Sequence, residues 1–265
     1  MSAGQQHPPV PNLPTGAPRL NAQARRELGS AFETAGREYH EVRPGYPAWV
    51  TDFVVPDGAA DAADIGAGTG LFTRDLVAAG LNVFAVEPSA SMRSVLEETL
   101  PGVVAIDGTG ESTGLPAGSV DLVSVAQAWH WMDPAEASAE ARRILRPGGT
   151  LALIWNQLDV TVPWVHRLSR IMHAGDVQRN ALAAAGVGEG FGAAELREEA
   201  WADAVTPESL FELCHSRSYY LRASEAVRAK VDANLGWYLY EHLGHAPGEL
   251  LELPYSALAV RFAAR

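Results

Sequence analysis

Three groups of residues in this chain have types and spacing suited to chemistry. The first is the run Asp64-Ile65-Gly66-Ala67-Gly68-Thr69-Gly70. Alternating glycines let a backbone take positive φ and let a ligand approach with no Cβ in the way. The second is Glu87, which follows the apolar run Val83–Val86. A carboxylate at the end of a second strand can hold the two hydroxyls of a ribose. The third is Gln127-Ala128-Trp129-His130, which follows another apolar run. Its imidazole is a candidate general base, with a pKa expected near neutrality.

These residues need particular elements to hold them. Asp61–Ile65 reads as a strand running into a tight turn. Leu71, Phe72, Leu76 and Val77 then recur at helical spacing, so a helix follows and offers free N–H groups at its start. Pro88-Ser89 reads as the start of a second helix, with Met92, Val95 and Leu96 as its inner face. Val103–Ile106 is the third strand and Ser119–Val125 the fourth, with Asp121 a structural residue near its start. Asp133-Pro134 caps a helix that Arg146-Pro147-Gly148-Gly149 closes before a fifth strand, Thr150–Trp155. In an open α/β sheet, ligands lie at the carboxyl ends of strands, which places Gln127 to His130 and Asn156 at the cleft.

The spacing of the glycines selects the ligand. A dinucleotide fold wants G-x-G-x-x-G/A, and Leu71 stands where the third small residue belongs. Asp-x-Gly-x-Gly-x-Gly followed by Glu87 instead resembles motif I and the acidic loop of class I S-adenosylmethionine (SAM)-dependent methyltransferases. The closer resemblance is to small-molecule enzymes of the methyltransferase domain 11 kind. Tyr39-His40-Glu41-Val42-Arg43-Pro44-Gly45-Tyr46-Pro47 is similar to their Y-x-x-x-R-P-x-Y-P segment, and Arg143 to Leu151 to their R-x-L-R-P-G-G-x-L crossover. The likeness runs from about Tyr39 to Asn156.

The resemblance implies an α/β Rossmann-like fold: a mostly parallel seven-stranded sheet with an antiparallel C-terminal strand and a helical cap. It implies SAM as cofactor, with S-adenosylhomocysteine as product, and a small-molecule acceptor methylated by in-line displacement. Cofactor contacts carried over are Tyr39, Arg43, Asp64, Gly66, Ala67, Gly68, Gly70, Glu87, Pro88, Met92, Thr109, Gly110, Glu111, Gln127 and Ala128. Tyr39 and Arg43 would meet the methionine end, and Met92 the adenine. Thr109-Gly110-Glu111 stands where the family has D-A-E, so Thr109 lacks the usual carboxylate and Asp107 is a substitute for it. Tyr46, Trp129, His130 and Asn156 fall on the acceptor side.

Other readings stay open. Tyr39, Tyr46 and Arg43 could merely pack a cap, and Glu111 could cap a turn. His130 could be a base or a wall of the acceptor pocket, and Asn156 could cap its strand. A SAM-binding protein with non-methylating chemistry or a sensing role is the alternative function; turnover to S-adenosylhomocysteine with an acceptor separates the two. His242 and His245, beside Glu241, read as a solvated helix end rather than a metal site, and no metal is expected.

Composition narrows the field. With 265 residues, 47% hydrophobic and 20% charged, the chain can bury a core. A net charge of −12 argues against nucleic acid and anionic membranes as partners. Cys214 is the only cysteine, so there is no internal disulfide or thiolate metal cluster. No run is apolar enough to span a bilayer and no signal peptide is visible, so a cytoplasmic protein is expected. The oligomeric state is not readable. Residues 1–18 are proline-rich and read as a disordered leader. Residues 19–265 read as one methyltransferase domain: an N-terminal cap over 19–60, a SAM-binding core over 61–156, and substrate-side elements over 157–265. In that last part, Trp164–His173, Glu208–His215 and Glu225–His242 read as helices, and Glu199–Val205 and Leu250–Phe262 as strands.

Overall fold

A computed structural model describes residues 42–173 and 186–265. The leader, residues 19–41 of the expected N-terminal cap, and with them Tyr39, lie outside the described residues.

The first strand, β1 (Asp61–Ile65), is buried along nearly its whole length, as a central parallel strand must be. It enters a turn in which Gly66, Gly68 and Gly70 all have positive φ, at 68°, 57° and 89°. Gly70 begins α2 (Leu71–Ala78) in the left-handed conformation; α1 (Ala48–Val54) precedes β1. A side chain at Gly70 would lie 2.9 Å from Leu100 and 3.1 Å from Leu96, so this glycine lets α3 (Ala90–Thr99) pack close. Phe72 and Leu76 turn inward, while Val77, expected on the inner face, is 40% exposed.

The described strands form one seven-stranded sheet in the order β3-β2-β1-β4-β5-β7-β6. β2 (Asn82–Val86), β3 (Val104–Ile106), β4 (Val120–Ala126) and β5 (Leu145–Leu158) run parallel to β1. β7 (Leu251–Ala263) is antiparallel to both β5 and β6 (Glu195–Val205). Strand order reverses between β1 and β4, and the carboxyl ends at such a switch point form a crevice.

Several boundaries differ from the sequence reading. β5 begins at Leu145, not Thr150, because Leu145 pairs with Val120 before pairing resumes at Thr150 and Leu122. Arg143 to Gly149 are thus partly in the strand, and Arg146 ties β1 to β4 through Asp61 (2.8 Å) and Asp121 (2.7 Å). β6 starts four residues early, at Glu195; it is an edge strand, mostly exposed, so its residues show no alternation of polarity. The helix expected through His242 is α8 (Glu225–Gly236) followed by a widened π turn, Trp237–His242.

Asp133 caps α4 (Pro134–Ile144), its carboxylate accepting from Ala135 and Glu136 N–H, as the Asp-Pro pair predicts. The cap is α5 (Pro163–Ile171), α6 (Pro207–His215), α7 (Ser218–Arg222) and α8. Its apolar faces share a core with Leu158 of β5 and Leu251, Leu253 and Tyr255 of β7, so it sits at the carboxyl end of β5. Cys214 lies in that core, and burial pushes its thiol up to about 11. No helix among the described residues is long and apolar enough to cross a membrane.

Asp64 fastens the sheet beneath the glycine turn. It is 1% exposed, and its two oxygens accept from Thr73 Oγ1 (2.6 Å) and Ser124 Oγ (2.8 Å). Burial pushes its carboxyl up to about 6, although the two hydroxyls pull the other way. The fold therefore prefers the protonated form. Its stabilising contribution is full below the ordinary value of 3.8 and is lost as pH rises to about 6. Asp64→Asn keeps one hydroxyl donating to Oδ1, has Nδ2 donate to the other hydroxyl oxygen, and removes the titration. Between pH 3.5 and 7.5, wild type should lose roughly 2–3 kcal/mol relative to this variant. Denaturant unfolding at both pH values measures it; a pH-independent difference would show that Asp64 does not titrate in this range.

Candidate functional site

The glycine turn is pinned to the end of β2, where Gly66 and Ala67 N–H both donate to Val86 O. Glu87 then turns back across it. One carboxylate oxygen accepts from Gly68 N–H (2.9 Å) and the other from Ser89 N–H (2.9 Å). The group is 7% exposed, and burial holds its pKa above the usual carboxylate range against those two bonds. Each oxygen keeps a further lone pair for a hydroxyl donor. Pro88 fixes the bend, Ser89 caps α3, and Met92 of α3 stands 3.8 Å from where a Gly68 side chain would begin. Nothing else among the described residues comes within 4 Å of that point. Thr69 Oγ1 is buried and has no hydrogen-bond partner among the described residues.

The loop after β3 closes one flank. Thr109 and Ser112 exchange main-chain hydrogen bonds, and Arg93 spans from Glu87 O (2.6 Å) to Asp107 (3.1 Å). Asp107, the expected substitute, is 75% exposed and bound to Arg93. Glu111 is spent on structure: it accepts from Asp133 N–H at 2.8 Å, joining this loop to the start of α4. Gly110 lies against the Met132 thioether, with a side chain there coming 2.9 Å from Met132 Cγ and 3.1 Å from Cε. Gly110→Ala should cost about 1–3 kcal/mol through overpacking. Met132→Ala should relieve that, so the double variant should unfold at least about 1 kcal/mol later than the summed single losses predict. Strict additivity in denaturant melts would mean the loop moves aside.

At the carboxyl end of β4, Gln127 takes φ of 57°, a strained conformation for a residue other than glycine. Ala128 is buried directly beneath Gly66. Trp129, expected to wall the acceptor pocket, is instead 2% exposed and belongs to the core. The short 3₁₀ turn Trp129–Trp131 sends the first tryptophan inward and leaves His130 with an exposed edge, tilted against Trp131 at 4.5 Å. Protein packed around the rest of its ring pushes the imidazole down to about 4 rather than near neutrality. His130 is therefore neutral at pH 7.

Asn156, expected to orient an acceptor, is 7% exposed, and its amide is committed to Gly45 O and Trp201 Nε1, each at 2.9 Å. The strap Arg43–Pro47 runs over this region. Tyr46 packs edge-on against Phe72 at 5.1 Å, and Arg43 donates to Ser216 O of the cap at 3.3 Å. His242 stacks on Trp237 and Tyr238, and His245 pairs with Glu249, so neither faces the crevice. Among the described residues, no group of three His, Cys, Asp or Glu side chains could hold a metal ion. A cleft of about 320 Å³ lined by Asp52, Thr150, Glu195 and Arg261 opens at the other end of β5 and shares no residue with the glycine turn.

The structure therefore gathers Gly66, Ala67, Gly68, Gly70, Glu87, Pro88, Met92, Gly110, Gln127 and Ala128 at one switch point. Thr109 and Ser112 close its rim. The methyltransferase domain family matches residues 63–153, the glycine turn through β5. An uncharacterized methyltransferase of Mycobacterium tuberculosis is 40% identical over 239 residues, covering 90% of this chain and 97% of its own length. The chain belongs to the class I SAM-dependent methyltransferase family. A methyltransferase-like protein of Schizosaccharomyces pombe is 34% identical, covering 77% of this methyltransferase and 84% of its own length. Among solved structures, one described as a type II methyltransferase from Anaeromyxobacter dehalogenans superimposes with a TM-score of 0.61 at 24% identity. That match covers 84% of this methyltransferase and 97% of the other chain.

Two features of this methyltransferase were missed in the sequence. Met132 backs both Gly66 and Gly110, and Trp201 reaches the crevice from β6. A lone methionine after W-H-W carries no periodic signal, and Trp201 is separated from its partner by 45 residues.

Proposed function

We propose that this methyltransferase moves the methyl group of SAM to a small-molecule acceptor. The observation that carries the reading is Glu87, held by Gly68 and Ser89 N–H at the switch point with lone pairs left for ribose hydroxyls. The residues present fit the cofactor: among the described residues there is open space above Gly68, a thioether from Met92 beside it, and a buried Thr69 hydroxyl with capacity to spare. When bound, SAM supplies an activated methyl on a sulfonium, which needs alignment more than acid–base help.

Met92 and the Thr109–Gly110 main chain would flank the adenine. Arg43, on the strap, would meet the methionine end, and Tyr46 would face the acceptor side. His130, neutral and with an edge open to water at the carboxyl end of β4, is placed to serve as a polar wall of the acceptor site. The acidic chain supports a metabolite over a nucleic acid as acceptor.

The test is to incubate the purified protein with methyl-labelled SAM and a cell extract, then separate small molecules from polymers. Label should accumulate in a small molecule with stoichiometric S-adenosylhomocysteine. Label in protein or nucleic acid, or cofactor binding with no transfer to any fraction, would overturn the proposal.

A further inference from the structure

Asn156 closes the cleft-facing part of β5, and a buried amide must find partners for both its donor and its acceptor ends. Nδ2 donates to Gly45 O, in the middle of the strap, and Oδ1 accepts from Trp201 Nε1 of β6. The main-chain carbonyl of the same residue accepts from the Gln127 side chain. One residue thus joins four separate stretches of chain. Pro44 and Pro47 have no N–H to give, so the strap is held through its side chains and carbonyls: Arg43 donates to Ser216 O, Tyr46 packs on Phe72, and Gly45 O accepts from Asn156. Gln127 is equally dependent, since it holds a positive φ that its surroundings must enforce.

We propose that Asn156 is a positioning residue that fixes the strap and the Gln127 turn as opposite walls of the site, with Trp201 orienting its amide. This rests on the cofactor site proposed above. Trp201 suits that part because its ring is already fixed, stacked on Tyr255 at 5.3 Å. An amide held from one side by an indole N–H can present only its NH₂ to Gly45. The strap in turn touches Phe72, the second residue after the glycine turn, so its placement is felt where the cofactor would bind.

Asn156→Asp tests this with almost no change of volume. It keeps an acceptor for Trp201 and sets a carboxylate oxygen against the Gly45 carbonyl. At pH 8, S-adenosylhomocysteine affinity by calorimetry should fall at least about tenfold. Amide order parameters of Gly45 and Tyr46 should drop from about 0.85 to below about 0.6, while those of β1 and β4 stay unchanged. A residue that merely stabilises the fold would lower the melting temperature and leave this local contrast absent. Should Asn156→Asp fail to fold, Trp201→Phe, which keeps the ring stacking and removes only the N–H, should loosen Gly45 and Tyr46 in the same way. Unchanged affinity together with unchanged order at those two residues in a folded variant would overturn the proposal. Absence of S-adenosylhomocysteine binding by wild type would instead strike at the cofactor site itself.

Discussion

Gly68→Val is expected to abolish SAM and S-adenosylhomocysteine binding, by more than about a hundredfold, in a protein that still folds. The backbone there has φ of 57°, which a β-branched residue resists at a cost on the order of 1–3 kcal/mol. Among the described residues a new Cβ meets only the Met92 sulfur, at 3.8 Å, so the clash expected is with the incoming ligand and not with the core. Gly66→Val should differ in kind. Its side chain would run onto Ala128 Cβ beneath the turn, so binding and stability should fall together. Gly80→Ala is the control for strain alone, with φ of 90° and nothing within 4 Å of the new atom. Calorimetry with S-adenosylhomocysteine and thermal melts on the three variants separate these effects. Gly68→Val binding within threefold of wild type would move the cofactor elsewhere.

Glu87→Ala should weaken both nucleosides by more than tenfold. Two hydrogen bonds from ribose hydroxyls to a carboxylate are worth about 1.5–3 kcal/mol each. The loss also frees Gly68 and Ser89 N–H, so the turn loosens as the ligand contact goes. A pH signature distinguishes a direct role. Burial raises the Glu87 pKa, so on acidification its protonation begins earlier than for an exposed glutamate. A protonated carboxyl has less acceptor capacity for the ribose. Affinity should therefore be full above that raised pKa and decline as pH falls through it, while Glu87→Ala binds weakly at every pH. Parallel pH curves for the two proteins would remove Glu87 from the site.

What could be read from the sequence was local. The three glycines of positive φ, the Asp-Pro cap of α4 and the acid closing β2 each sit within a few residues of what they hold. The sheet as a whole, including the antiparallel β7, was what the family resemblance implied rather than what those units fixed. What could not be read was direction and distant partnership. In W-H-W either tryptophan could face inward, and only the 3₁₀ turn decides for Trp129. Glu111 meets Asp133 across 22 residues, and Asn156 meets Gly45 across 111, so their side chains looked free for ligands. The low pKa of His130 comes from protein folded around it, which no neighbour in sequence announces. Only the first four residues of β6 were not read, because a strand paired on one side and exposed on its faces needs no alternation.

The position of β7 has a consequence for how the chain is made. It lies between β5 and β6 in the sheet, yet follows both in sequence. It also lends Leu251, Leu253 and Tyr255 to the core of the helical cap. A ribosome releases the glycine turn, β4 and β5 first, and domains generally fold from the N-terminus as they emerge. The cofactor half can therefore assemble while translation continues. β6 and the cap helices must wait, with apolar faces uncovered, until residues 251–263 arrive to pair with β5 on one side and β6 on the other. The wall on the acceptor side is thus completed last, and that interval is when a nascent chain of this protein would most need a chaperone.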